Sequence, residues 1–204
     1  MVYEIIYRRI YTPTFLPLEP DDIVLDIGAN IGVFAVYAAG RTRKTVYAFE
    51  PLPDNIGFLR RNVEANDLGN VDIQPVAVAE KAGTARLYLS TISGGHRLFD
   101  HYRDHKLERY LEVPTTTLQA IMDENHLDKV DFLKMDCEGS EGPIIASTPF
   151  DYLKRIRKIA MEFHDDATDL KHDHIENRLR ETGFITRLIW DTKSPYGLMY
   201  GWRE

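Results

Sequence analysis

The segment Ile23-Val24-Leu25-Asp26-Ile27-Gly28-Ala29-Asn30-Ile31-Gly32 confines this chain to a narrow set of folds. An apolar run that ends in a carboxylate, passes through a glycine-punctuated turn and re-enters an apolar run reads as a buried strand, a tight loop and a helix start. A second apolar run, Val46-Tyr47-Ala48-Phe49, closes on Glu50-Pro51. Together these make one βαβ unit with an acid at both strand ends, the edge at which open α/β sheets bind nucleoside ligands.

The glycine spacing narrows the ligand. A dinucleotide fingerprint needs G-x-G-x-x-G, because pyrophosphate must approach bare backbone. With Gly28 as the second glycine, the first position is Asp26; with Gly28 as the first, the next two fall on Asn30 and Val33. Both registers fail, which counts against an NAD-dependent oxidoreductase. An anionic Asp26 beside pyrophosphate would also be repulsive, by roughly 1 kcal/mol across about 4 Å of water. A phosphate-free ligand with a positive centre suits the loop better, and S-adenosylmethionine, with its amine, carboxylate and sulfonium, is such a ligand. In this reading Asp26 meets the ammonium directly or through water, and Gly28 allows close backbone approach. Backbone N–H groups after Gly32 face the carboxylate, and Glu50 accepts the ribose hydroxyls. A non-catalytic cofactor-binding module on the same fold is the other alternative.

The 204 residues, 44% hydrophobic, suffice for one domain spanning 1–204, with 1–20 as a short lead-in. A net charge of −7 argues against a nucleic-acid partner. Basic clusters at Arg41 to Lys44 and Lys154 to Lys158 read as solvated flanks. The single cysteine, Cys137, allows no internal disulfide and fits a reducing compartment. No run approaches the roughly 18 apolar residues of a membrane span, and the N-terminus lacks a signal-peptide pattern. The expectation is a soluble, cytoplasmic protein with no membrane partner.

Short apolar runs at Ile23, Thr45, Val71, Val130 and Ile156 alternate with helical segments, notably Val33 to Ala39, Pro53 to Ala65, Leu118 to Asn125, Glu141 to Ala146 and Leu170 to Thr182. That rhythm predicts an α/β fold, a mainly parallel sheet with helices on both faces. Phe184 to Trp190 and Leu198 to Trp202, joined by Ser194-Pro195-Tyr196-Gly197, predict a closing hairpin with one antiparallel strand. Residues 91–110 break the rhythm and read as an acceptor loop or lid, with Gly94-Gly95 as hinge and His96, Arg97, His101, Tyr102 and Arg103 as binding groups. The spacing of His96, His101 and His105 lacks the partners of a zinc site.

Two further strands end in acids, at Asp136-Cys137-Glu138 and at Glu162-Phe163-His164. Glu141 reads as a first-turn helix residue favoured by the dipole. Taken with Asp26-Ile-Gly-Ala-Asn-Ile-Gly-Val-Phe34 and Phe49-Glu50-Pro51, the run Asp131-Phe-Leu-Lys-Met-Asp136-Cys-Glu138-Gly-Ser-Glu141 resembles the FkbM family of S-adenosylmethionine-dependent methyltransferases, from about Asp22 to His164. The resemblance implies a class I Rossmann-like fold with seven strands, the last antiparallel. It implies cofactor contacts at Asp26, Gly28, Asn30, Gly32 and Glu50, and methylation of a hydroxyl on a sugar or natural product. The region before Asp21 is short for this family, so the acceptor pocket is expected to be open or completed by another subunit in a homo-oligomer. Cys137 stands where a small aliphatic residue is common and reads as packing.

A hydroxyl acceptor must lose a proton, and a general base can supply roughly 10²- to 10⁴-fold. His164 is the favoured base, because an unperturbed imidazole is largely neutral at pH 7, with Asp136 orienting acceptor or amine. The less favoured version has Asp136, Glu138 and His164 hold a divalent metal, Mg²⁺ or Mn²⁺. Partner and acceptor are then a small hydroxylated molecule.

Overall fold

The computed structural model describes residues 1–90, 96–102, 105–106 and 108–203. Strands β1 (Val24–Ile27), β2 (Val46–Phe49) and β3 (Val71–Gln74) are connected by α1 (Val33–Ala39) and α2 (Pro53–Ala65). A side sheet follows: β4 (Ala77–Val78), β5 (Gly83–Tyr88) and, beyond the short pair β6 (His101–Tyr102) and β7 (His105–Lys106), β8 (Tyr110–Thr116). The chain then runs through α3 (Leu118–Glu124), β9 (Val130–Met135), α4 (Glu141–Ser147), α5 (Phe150–Leu153), β10 (Ile156–His164) and α6 (His172–Glu181) into the hairpin β11 (Ile185–Ile189) and β12 (Tyr196–Trp202).

The main sheet has seven strands in the order β11-β12-β10-β9-β1-β2-β3. All neighbours are parallel except β12, which runs antiparallel to both β10 and β11. The last strand is antiparallel as expected, but it is not the edge. Along β11 the residues alternate between exposed and half-buried, whereas Met199, Tyr200 and Gly201 of β12 are buried. The more apolar arm of the hairpin takes the inner position, and the more polar one caps the edge.

Strand periodicity divides the core in two. On one face Val24, Phe132, Ala160 and Tyr200 pack with Phe34 and Ala38 of α1 and with Tyr11 and Leu16 of the lead-in. On the other, Leu25, Leu133, Ile159 and Met199 pack with Ile121, Ile144, Ile175 and Leu179 of α3, α4 and α6. Each such fully buried aliphatic side chain is worth about 1.5–3 kcal/mol. Helices thus cover both faces, as the βα rhythm requires.

The lead-in is tied down by a buried acid. Asp22 accepts hydrogen bonds from the Glu19 N–H at 2.8 Å, Lys158 Nζ at 2.7 Å and Arg157 at 2.6 Å. Lys158, expected on a solvated flank, is instead buried, because only an internal anion can satisfy an ammonium on the covered face of β10. Of the expected lid, Gly94, Gly95 and Arg103 lie outside the described residues, and His96 and Arg97 turn inward toward the sheet. Among the described residues, no helix is long and apolar enough to cross a membrane.

Asp22→Asn leaves Lys158 buried without its counterion and is expected to cost about 3 kcal/mol. Calorimetry should then show Tm lowered by roughly 6–12 °C.

Candidate active site

Register decides which side chains meet at the carboxyl edge. Asp26 is the Cα partner of Lys134, and Lys134 that of Ala160. Two residues further on, Gly28, Asp136 and Glu162 emerge on the same face. Asp26 itself is completely buried, with Oδ1 3.0 Å from Lys134 Nζ. The same ammonium donates to Gly28 O at 2.8 Å and Ile27 O at 3.3 Å. Burial raises the Asp26 carboxyl from its ordinary value, and Lys134 opposes that shift. Burial likewise works against the Lys134 ammonium, but Asp26 and then Asp136 outweigh it and hold its pKa above the usual lysine value. The cation that Asp26 meets in the folded chain is Lys134. Asp26 does not line the cavity beyond the loop, and its cation is internal.

That cavity, of about 350 Å³, opens where β1, β2 and β9 end. Gly28, Asn30 and Glu50 of the expected cofactor residues line it; Gly32 does not. Gly28 lies at φ +74°, and a Cβ there would stand 1.9 Å from Asp136 O, so only glycine lets the loop cross the end of β9. Gly32, at φ +86°, serves helix packing, since its Cβ would stand 2.1 Å from Leu59 Cδ1. Glu50 is held rigidly: Oε2 accepts the Asn30 N–H at 2.8 Å and Oε1 the Leu52 N–H at 2.9 Å. Burial raises the Glu50 carboxyl, against the pull of those two N–H groups.

The cavity wall is anionic. Glu4, Glu50, Asp136, Glu138 and Glu162 line it, against the guanidinium of Arg97. Burial lowers the His96 pKa, which keeps that ring neutral at pH 7. Tyr11 Oη donates to Asp136 Oδ2 at 2.8 Å and approaches Glu162 Oε2 at 3.4 Å. Burial, then Asp136 and Glu162, raise the Tyr11 pKa, so it remains a donor. Glu162 and Glu138 are each raised to about 7, chiefly by burial. Glu138 pairs with Arg97 at 2.8 Å, and Arg97 is itself buried.

A second cavity, of about 270 Å³, adjoins the first; His164, Asp166 and Tyr196 line it, and Arg97, Glu138 and Glu162 line both. His164 packs with Nδ1 3.4 Å from Glu141 Oε1 and Nε2 3.7 Å from Glu138 Oε2. Burial disfavours its charge, but Glu141, Glu138 and Asp136 overcome this and raise its pKa to about 10. The acids around the ring thus favour its charged form. Glu141 is more than a first-turn residue. It accepts the Cys137 and Gly139 N–H groups at 2.8 and 2.9 Å, and although burial opposes its charge, His164 and these bonds lower its pKa. Burial pushes the Cys137 thiol up, consistent with packing and not with nucleophilicity.

Sequence reasoning passed over Lys134 and Tyr11 and gave Glu162 no role of its own. A lone lysine in the otherwise apolar strand 130–135 was a signal for an internal anion, and Glu162 shares the period-2 face of His164. Tyr11 comes from the lead-in, and nothing in its local sequence marks it.

Residues 26–186 match the methyltransferase FkbM domain. The chain is 30% identical over 225 residues to the AMB antimetabolite synthetase AmbE of Pseudomonas aeruginosa, covering 92% of this chain and 11% of that protein. It is 29% identical over 196 residues to the 31-O-demethyl-FK506 methyltransferase FkbM of Streptomyces tacrolimicus, covering 79% of this chain and 75% of that one. The crystal structure of methyltransferase FkbM from Methylobacillus flagellatus aligns with a TM-score of 0.64 at 18% identity, covering 98% of this chain and 48% of that one. That last likeness is one of fold. The chain spans a small part of AmbE and about half of the Methylobacillus protein.

Lys134→Met strands Asp26 as a buried, unpaired charge and is expected to destabilise by about 3–5 kcal/mol. Adding Asp26→Leu should recover most of that loss, which a double-mutant cycle by chemical denaturation would measure.

Proposed function

Because this chain belongs to the FkbM methyltransferase family, we propose that it methylates a hydroxyl oxygen of a sugar or other small natural product with S-adenosylmethionine as donor. The observation that carries the reading is the wall common to the two cavities, formed by Arg97, Glu138 and Glu162. A bimolecular displacement needs two ligands brought end to end, and two adjoining cavities with three lining residues in common would let them meet there.

The cofactor supplies an electrophilic methyl on a cationic sulfur. The first cavity fits such a ligand: a phosphate-free cation gains from the carboxylates that would repel pyrophosphate. Glu50, immobilised by two backbone N–H groups, would hold the ribose hydroxyls on its free lone pairs. Gly28 and Asn30 would form the loop wall against the nucleoside. Asp26 supports the loop through Lys134, and Gly32 seats α1 against α2.

Glu162 is the proposed general base, in place of His164. It faces both cavities, so its carboxylate reaches the region where an acceptor hydroxyl must lose its proton. Burial also makes it more basic than an ordinary glutamate. Tyr11 and Asp136 are positioning residues, the tyrosine hydroxyl donating to Asp136 and lying 3.4 Å from Glu162. His96 and Arg97, the described inward part of the expected acceptor loop, cover the first cavity.

S-adenosylhomocysteine should bind the purified chain with one-to-one stoichiometry by calorimetry, and Glu50→Ala should weaken it at least tenfold. Heat with NAD⁺ and none with S-adenosylhomocysteine would overturn the reading. Against a panel of hydroxylated acceptors, Glu162→Gln should lower kcat by about 10²- to 10⁴-fold. Binding of S-adenosylhomocysteine to this variant should stay within a few-fold. An unchanged kcat removes Glu162 as base.

A further inference from the structure

We propose that Asp136, Glu138 and His164 form a divalent-cation site, for Mg²⁺ or Mn²⁺, set between the two cavities so that a bound ion takes oxygen atoms of the acceptor. One ligand atom from each of these side chains lies within 4.8 Å of the other two, a spacing that one ion can bridge. The three come from two stretches of backbone at one edge: the loop after β9, which carries Asp136 and Glu138, and the last residue of β10. Asp136 lines the first cavity, His164 the second, and Glu138 both. An ion held there faces donor and acceptor together.

His164 supplies the independent sign of a missing partner. Its side chain is only 8% exposed, yet Nδ1 is buried without a hydrogen-bond partner, and Nε2 stands 3.7 Å from Glu138 Oε2, beyond hydrogen-bonding reach. On its other side Nδ1 faces Glu141, whose own oxygens are fixed by the Cys137 and Gly139 N–H groups. A carboxylate behind the far nitrogen of an imidazole is the arrangement that orients metal-binding histidines. Glu141 is thus assigned a positioning role behind the site.

The donor set selects the ion. Two carboxylates and one imidazole, without thiolate, suit hard six-coordinate cations. Three protein ligands leave three positions on an octahedral ion. Two neighbouring positions match an acceptor that offers adjacent oxygens, such as a vicinal diol or a hydroxy acid. What the ion does rests on the methyl-transfer reading; where it binds does not.

The test uses the full chain stripped with EDTA and then titrated with Mn²⁺ alone, followed by calorimetry and by electron paramagnetic resonance of the free ion. One saturable Mn²⁺ per chain is expected. Glu138→Gln and Asp136→Asn should each weaken it at least tenfold, and Glu141→Gln by about 10- to 100-fold. In the unmodified chain, Mn²⁺ should broaden the ring resonances of His164 before those of the exposed His126 and His174, a readout that needs no variant to fold. No saturable uptake, or uptake that both ligand variants leave unchanged, overturns the site. A chain that binds Mn²⁺ but not S-adenosylhomocysteine keeps this site and loses the methyl-donor reading; the reverse result loses only the site.

Discussion

The ion pair between Asp26 and Lys134 sets the position of everything at the carboxyl edge. Both groups are buried on neighbouring parallel strands, and the pair is matched in register. Burying either charge alone would cost several kcal/mol, so each requires the other. Lys134 has further donors, and it uses them on the carbonyls of Ile27 and Gly28. The glycine loop is thereby fastened to β9. An acid that reads as a ligand contact acts one step further back, through a lysine that holds the ligand-facing backbone in place.

Beyond that pair the site accumulates negative charge. Asp136, Glu138, Glu141 and Glu162 converge with His164 as their near cation and with Arg97 bound to Glu138. Two carboxylates about 4 Å apart repel by about 4 kcal/mol at an effective dielectric of 20. A cluster selected for stability alone would dilute such charges. Here burial and mutual repulsion raise two of the acids to about 7, while attraction to the same carboxylates raises the histidine to about 10 against the effect of burial.

Much of this was legible one segment at a time. α1 and α2 run over the residues expected to be helical, and β9 and β10 end at the expected acids. Gly28 was recognisable as a place of close backbone approach, although what approaches it is Asp136 O. Glu50 was identifiable because it closes a buried strand beside that loop. α5 (Phe150–Leu153) was missed, because a single turn carries no periodicity to detect. The inner position of β12 was also missed, since a hairpin's sequence does not say which arm faces a neighbouring strand.

The sequence by itself determined the alternating βα architecture, the glycine loop and the acids at the strand ends. Each of these depends on contacts among residues close in the chain or on the burial of one strand. Tertiary structure alone decided the partners: Lys134 for Asp26, Tyr11 for Asp136 and Glu162, Glu141 for His164. Those pairings are set by strand register and by how the lead-in folds back over the sheet, and they fix charge states. An imidazole that is an apt base in water becomes one enclosed by carboxylates, and an acid that suits a ligand becomes a buried counterion. Spacing along a chain encodes geometry within one element. The electrostatic environment of a side chain is the sum over elements that only the folded protein brings together.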